Sequence, residues 1–319
     1  MMFDYNLLVI TPVKHIHDLR TKFKKFNKIT FLNNPSYKQI IKIIHKYEII
    51  FTNPNKSEVL IDKNLILKGK KLKYVVTAST GLNHIDTDFL NKKKIKLISL
   101  TKDLSLIRKI SSTAEHALAL TLSQVRNIVK ANNDVKQGKW DYTKFIGRQF
   151  NSLNVGIIGY GRLGVKYCSY LSALKSNVFV FDPYKKIKNK KITQLYNLKL
   201  LFKKCDIISL HVHLTKSTYN LINYNVLKFA KKNLLLINTS RGEIINEIDL
   251  IKFLKKNKAA KYAADVISYE VAHKNKSKIL KFFKKNDQVL LTPHIGGMTL
   301  EAQSMAYGRV LDKLIKILN

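Results

Sequence analysis

The chain has 319 residues, 45% of them hydrophobic, so it is too apolar for a disordered chain and long enough for two domains of ordinary size. Its 58 Lys and Arg outweigh 21 Asp and Glu, a formal charge of +37. The basic residues are spread along the chain and are mostly Lys, in the company of Asn and Ile; that mix reads as compositional drift and a solvated surface, not as a nucleic-acid or membrane interface.

Residues 1–10 read as a strand built on Phe3, Leu7, Leu8, Val9 and Ile10. Asp4 interrupts the run and no small-residue cleavage site follows, so it is not a signal peptide. No apolar run reaches membrane-spanning length, and a cytoplasmic protein with no membrane partner is expected. Apolar runs recur at 29–32, 48–52, 73–77 and 95–99. Between them lie helically spaced residues such as Tyr37, Ile40, Ile41 and Ile44. Short strands alternating with helices imply a parallel sheet covered on both faces.

One continuous helix is expected from Ser112 to about Lys136, with Ala117, Leu120, Thr121, Gln124, Val125, Ile128 and Val129 near one face. A second alternating unit starts at Leu153, with six strands at 154–158, 177–181, 207–211, 234–238, 262–266 and 288–292. A last helix is expected over about 299–318. Cys168 falls in a helix and Cys205 just before a strand. Two cysteines make no disulfide framework and neither has a His pair beside it, so a reducing compartment and no metal are expected.

Gly159, Gly161 and Gly164 form a GxGxxG turn between a buried strand and an amphipathic helix. Gly159 permits the tight turn, Gly161 lets backbone N–H groups approach a pyrophosphate, and Gly164 lets helix and strand pack closely. Asp182 follows 18 residues beyond Gly164 at the end of the next strand, placed to reach a ribose diol and repel a 2′-phosphate. The pattern predicts NAD as cofactor.

Arg241, Glu270 and His294 follow later strands of the same unit. Oxidising a secondary alcohol needs a base, and His294 titrates in the right range. A neighbouring carboxylate, Glu270, would favour the imidazolium and fix the ring. Arg241 offers a planar fork for a carboxylate and a polarised carbonyl. His45, His84, His116, His211 and His213 read as structural or cofactor-lining.

Several segments, in order along residues 74–302, resemble the D-isomer-specific 2-hydroxyacid dehydrogenases, the family of phosphoglycerate, glycerate and D-lactate dehydrogenases. They are the run from Thr80 to Asp86, Thr113-Ala114-Glu115-His116, the Gly-rich turn, the run from Ile237 to Gly242, Ala264-Asp265-Val266 and the run from Thr292 to Gly297. The resemblance implies two doubly wound α/β domains with parallel sheets. A Rossmann NAD-binding domain, residues 102–293, is inserted in a flavodoxin-like substrate domain, residues 1–101 with 294–319.

It further implies the roles given to Arg241, Glu270 and His294, and substrate carboxylate binding near Ser79, Thr80 and Gly81 together with Arg241. Asp265 is expected to orient the nicotinamide amide. Further cofactor contacts fall to Tyr160, Arg162, Leu163, His211, Val212, Thr218, Thr239, Ser240, Gly296 and Gly297. The expected partners are a small 2-hydroxy or 2-keto acid and a second copy of the chain, contacting through the helix from Ser112. The rival reading is a catalytically silent NAD(H)-binding sensor or corepressor of the same fold.

Overall fold

Every strand pairing in the computed structural model, which describes residues 2–53 and 59–319, is parallel. The strands are β1 (Phe3–Val9), β2 (Phe26–Phe31), β3 (Ile49–Thr52), β4 (Tyr74–Thr77), β5 (Lys96–Ile98), β6 (Asn154–Ile158), β7 (Asn177–Phe181), β8 (Ile192–Gln194), β9 (Ile207–Leu210), β10 (Leu235–Asn238), β11 (Lys261–Ala264) and β12 (Val289–Leu291). Met1, the first residue of the expected opening strand, lies outside the described residues.

The chain divides into two compact units, Met1–Ile110 with Gly297–Asn319, and Ser111–Gly296. In the first, the sheet order is β2-β1-β3-β4-β5, the flavodoxin-like order. Both faces are covered. Val9, Phe51 and Val76 belong to one core cluster, and Leu8, Ile50 and Val75 to the other, as the period of two requires. The terminal helix Leu300–Leu318 belongs to this unit. Its Val310, Leu311 and Leu314 are fully buried in the first cluster, each contributing roughly 1.5–3 kcal/mol by burial.

The unit boundary differs from the expected one because of short anchors. Leu106 packs in the first unit's core, and Asp103 pairs with Arg309 and Lys313 of the terminal helix, so residues 102–110 stay with that unit. At the other junction, Ile295 and Gly296 donate their N–H groups to Asp265, which holds residues 294–296 in the second unit.

The second unit's sheet has the order β12-β11-β10-β9-β6-β7-β8, with the doubly wound reversal between β6 and β9. It has seven strands where six were expected. The extra one, β8, is a three-residue edge strand whose mixed Ile-Thr-Gln run carries almost no periodic signal. The expected long helix is also two, Ser112–Val125 and Ile128–Lys136. Asn127, at φ 55°, breaks it, a conformation Asn tolerates better than most residues. Its side chain donates to Ile146 O and accepts from Lys261 Nζ. Ala117, Leu120, Thr121 and Gln124 are buried as expected, but Ile128 and Val129 are exposed.

Candidate active site

The site builds from the carboxyl ends of the second unit's strands, where an open parallel sheet presents loops and helix N-termini to a ligand. After β6 the chain turns through Gly159, at φ 93°, into the helix Arg162–Ala173. A Cβ on Gly159 would stand 2.6 Å from His211 O and from Val212 Cγ1. A Cβ on Gly164 would stand 2.0 Å from Gly159 O. Nothing lies within 4 Å of the same position on Gly161. Two glycines therefore close the turn and the third leaves backbone open to an approaching group. Arg162 and Leu163 form the first turn of the helix.

Asp182 is buried just beyond β7. Its Oδ2 accepts Tyr160 N–H at 2.8 Å and its Oδ1 accepts Tyr184 N–H at 3.0 Å. The acid thus braces the Gly-rich turn as well as standing at its edge. His211 and Val212 follow β9 and pack on Gly159. One ring nitrogen of His211, Nε2, lies 2.9 Å from Ser209 Oγ, while Nδ1 is buried with no hydrogen-bond partner among the described residues. Burial pulls its pKa down to about 3. Thr218 turns inward on its own loop, donating to His213 O at 2.6 Å. Thr239 Oγ1 is buried without a hydrogen-bond partner among the described residues, and Ser240 Oγ donates to Leu210 O.

Arg241 follows β10, with Nη1 donating to Ser240 O at 2.6 Å. Burial draws the guanidinium pKa below its ordinary value, and the negative charges of Glu270 and Glu243 pull it back up. Glu270 opens the short helix Glu270–His273 beyond β11, and its Oε1 contacts Nδ1 of His294. The structure therefore brings Arg241, Glu270 and His294 together. Both members of the contact remain partly open, with side-chain exposure of 24% for Glu270 and 19% for His294.

Asp265 lies beneath this group. Its Oδ1 accepts Ile295 N–H at 2.8 Å and Thr292 Oγ–H at 2.5 Å, and its Oδ2 accepts Gly296 N–H at 2.7 Å. His116 Nε2 stands 2.9 Å from Thr292 Oγ1 and 3.3 Å from Asp265 Oδ1. Burial alone would push this carboxyl up. His116, Thr292 and the Ile295 N–H together hold it below the usual carboxylate range. Asp265 thus clamps the turn that carries His294. Gly297 falls across the boundary, in the first unit.

In the first unit, Ser79, Thr80 and Gly81 form a loop just past β4. Ser79 Oγ donates to Gly81 O, and Thr101 Oγ1 donates to Thr80 O. The loop is held through its oxygens. Sequence reasoning did not find Glu243 and Glu247, whose carboxylates accept N–H groups on either side of Glu270. Acids near a helix start suggest no more than favourable alignment with the helix dipole.

The sequence profile of the "D-isomer specific 2-hydroxyacid dehydrogenase, NAD binding domain" matches residues 118–296. A hydroxypyruvate reductase of Thermotoga maritima is 31% identical over 87% of each chain. The chain belongs to the D-isomer specific 2-hydroxyacid dehydrogenase family. A D-3-phosphoglycerate dehydrogenase of Archaeoglobus fulgidus is 33% identical over 84% of this chain but 49% of its own length. The chain spans about half the length of such phosphoglycerate dehydrogenase relatives. The solved D-lactate dehydrogenase of Aquifex aeolicus, complexed with NAD and lactic acid, superposes with a TM-score of 0.77 at 26% identity, covering 98% of this chain and 94% of that one. The cofactor of this family member is NAD, and the Gly-rich turn fits it. Gly159 and Gly164 leave no space for a Cβ, Gly161 is open, and the buried carboxylate of Asp182 accepts the Tyr160 N–H within the turn.

Proposed function

We propose that this protein is an NAD-dependent dehydrogenase interconverting the C2 hydroxyl and C2 carbonyl of a small 2-hydroxy or 2-keto acid of phosphoglycerate, glycerate or glyoxylate type. The carrying observation is the contact of His294 Nδ1 with Glu270 beside Arg241, on strand ends of a unit that begins with the Gly-rich turn. Bound NAD accepts or supplies the hydride.

Arg241 gives the substrate a planar cationic fork, and its partial burial strengthens each bond it makes there. Backbone N–H groups of the Ser79-Thr80-Gly81 loop hold the substrate carboxylate. His294 exchanges the hydroxyl proton through Nε2, since Nδ1 is engaged by Glu270. Glu270 favours the imidazolium that appears when the alcohol is oxidised. Asp182 holds the ribose diol, and the N-terminus of the helix Arg162–Ala173 faces the pyrophosphate. Asp265 fixes the His294 turn, and Oδ2, with a single bond, keeps capacity for the nicotinamide amide. Val212, Thr239, Ser240 and Gly296 line the same cofactor site.

The chain forms a homodimer through its second unit in this reading. Ile128, Val129, Val135, Tyr142 and Ile146 are exposed there, and Trp140 is 90% exposed, a concentration of apolar surface that a monomer rarely leaves in water. No helix among the described residues is long and apolar enough to cross a membrane. Free thiols at buried Cys168 and Cys205 accord with a cytoplasmic setting.

A panel of glyoxylate, hydroxypyruvate, phosphohydroxypyruvate and pyruvate, each with NADH, tests the assignment. Oxidation of NADH with at least one is expected. Tight NADH binding with no turnover on any would sink it.

A further inference from the structure

One buried carboxylate of the second unit, Glu247, belongs to neither the substrate nor the cofactor machinery. Glu247 opens the helix Glu247–Lys256 and is 9% exposed. Its Oε1 accepts Ser268 N–H at 3.0 Å and Ser277 Oγ–H at 2.9 Å. Its Oε2 accepts Lys278 N–H at 2.6 Å and Ile279 N–H at 3.1 Å. One carboxylate thus gathers both ends of the segment 268–279, and Glu270 lies two residues from one of them. Next to this latch, Glu243 accepts Tyr269 N–H at 3.2 Å. A Cβ on Gly242 would stand 2.0 Å from the carbonyl carbon of Ile267, so the Arg241 turn is pressed directly on the base of the same segment.

A buried carboxylate is costly unless its oxygens are filled, and charge-assisted bonds to backbone N–H groups are the strong, directional way to fill them. Bonds of this kind fix backbone position on both sides of Glu270. We propose that Glu247 is a positioning residue for the acid–base pair: through the 268–279 segment it sets where the Glu270 carboxylate meets His294 Nδ1. The inference rests on the reading of Glu270 as partner of His294. Of the described ionisable groups, Arg241 on the turn after β10 faces Glu270, Glu243 faces Arg241, and Tyr262 on β11 faces Glu247.

Glu247→Gln keeps size but turns an amide NH2 toward N–H donors that need an acceptor, which displaces one end of the segment. A misplacement of ~1 Å can cost ~10²-fold, so kcat/KM for reduction should fall by about tenfold or more. The informative readout is the pH profile of kcat/KM with NADH and the best keto acid of the panel. It is measured for the parent, Glu247→Gln, Glu270→Gln and the double variant, alongside NADH affinity. Reduction needs the imidazolium, so loosening Glu270 moves the alkaline limb to lower pH. We expect Glu247→Gln to move that limb in the same direction as Glu270→Gln, the double variant to be no worse than Glu270→Gln alone, and NADH affinity to hold. An unmoved limb in Glu247→Gln, with losses that multiply in the double variant, overturns the inference and leaves the Glu270 reading intact. An unmoved limb in Glu270→Gln overturns both. If Glu247→Gln does not fold, Ser277→Ala, which removes the hydroxyl shared between the two oxygens of the same carboxylate along with the cap on Leu280 N–H, carries the test with the same signs and a smaller shift.

Discussion

His294 and Tyr269 share the left-handed region of backbone space, with φ of 56° and 61°, so the two sides of the Glu270–His294 contact are both built on strained residues. His294 is itself in that conformation, and Tyr269 directly precedes Glu270. Non-glycine residues held there cost of the order of 1–3 kcal/mol, which the surroundings must offset. Asp265 does so for one turn through Ile295 and Gly296, and Glu243 with Glu247 do so for the other.

That arrangement predicts an unusual gain from a glycine. Tyr269 is 51% exposed, so little packing is lost on truncation. Tyr269→Gly should leave stability unchanged or raise it by up to about 1 kcal/mol, whereas Tyr269→Val should destabilise the fold by ~1–2 kcal/mol. Urea unfolding of the three proteins decides; a less stable glycine variant would show that the backbone at 269 carries no strain.

His294→Ala should reduce kcat by ~10²–10⁴-fold, the usual contribution of a general acid–base group. NADH binding, followed by fluorescence, should stay within a few-fold of the parent value. A loss of affinity as large as the loss of rate would mean that the imidazole serves the nucleotide instead.

Arg241→Lys keeps the charge and loses the two-pronged geometry. KM for the keto acid should rise and kcat should fall together, because the carbonyl contact strengthens as negative charge develops on oxygen. Steady-state kinetics identical to the parent would remove Arg241 from the site.

Asp182 supports two predictions from one carboxylate. It should repel a 2′-phosphate, so NADH should bind more tightly than NADPH, and Asp182→Ala should narrow the gap. Because the same group accepts the N–H groups of Tyr160 and Tyr184, the variant should also lose affinity for NADH itself. Equal affinity of the parent for the two nucleotides refutes the assignment.

Acid should weaken the second unit through His211. Burial lowers its folded pKa to about 3, while the unfolded chain titrates near the ordinary 6.5. Between those values the unfolded state binds a proton that the folded state refuses. The stability is therefore complete above pH 6.5 and is lost progressively as pH falls toward 3, by up to about 1.4 kcal/mol per unit. His211→Phe keeps a ring against Tyr167 and should flatten that part of the stability profile. Parallel slopes for parent and variant would exclude His211 as the source.

The sequence by itself determined the alternation of strands and helices, the Gly-rich turn and the order of Arg241, Glu270 and His294. These are local patterns, fixed by periodicity, by backbone conformations few residues accept, and by chemistry that few side chains can perform. It did not determine where the long helix breaks, since Asn127 acts through Ile146 and through Lys261, 134 positions away, nor the edge strand β8, which exists only because β7 offers it a ladder. Nor could it distinguish Glu247 from any acid at a helix start. Its carboxylate became the anchor of residues 268–279 only when β10 and β11 came to lie side by side, which brought N–H groups 21 to 32 positions away onto one buried charge.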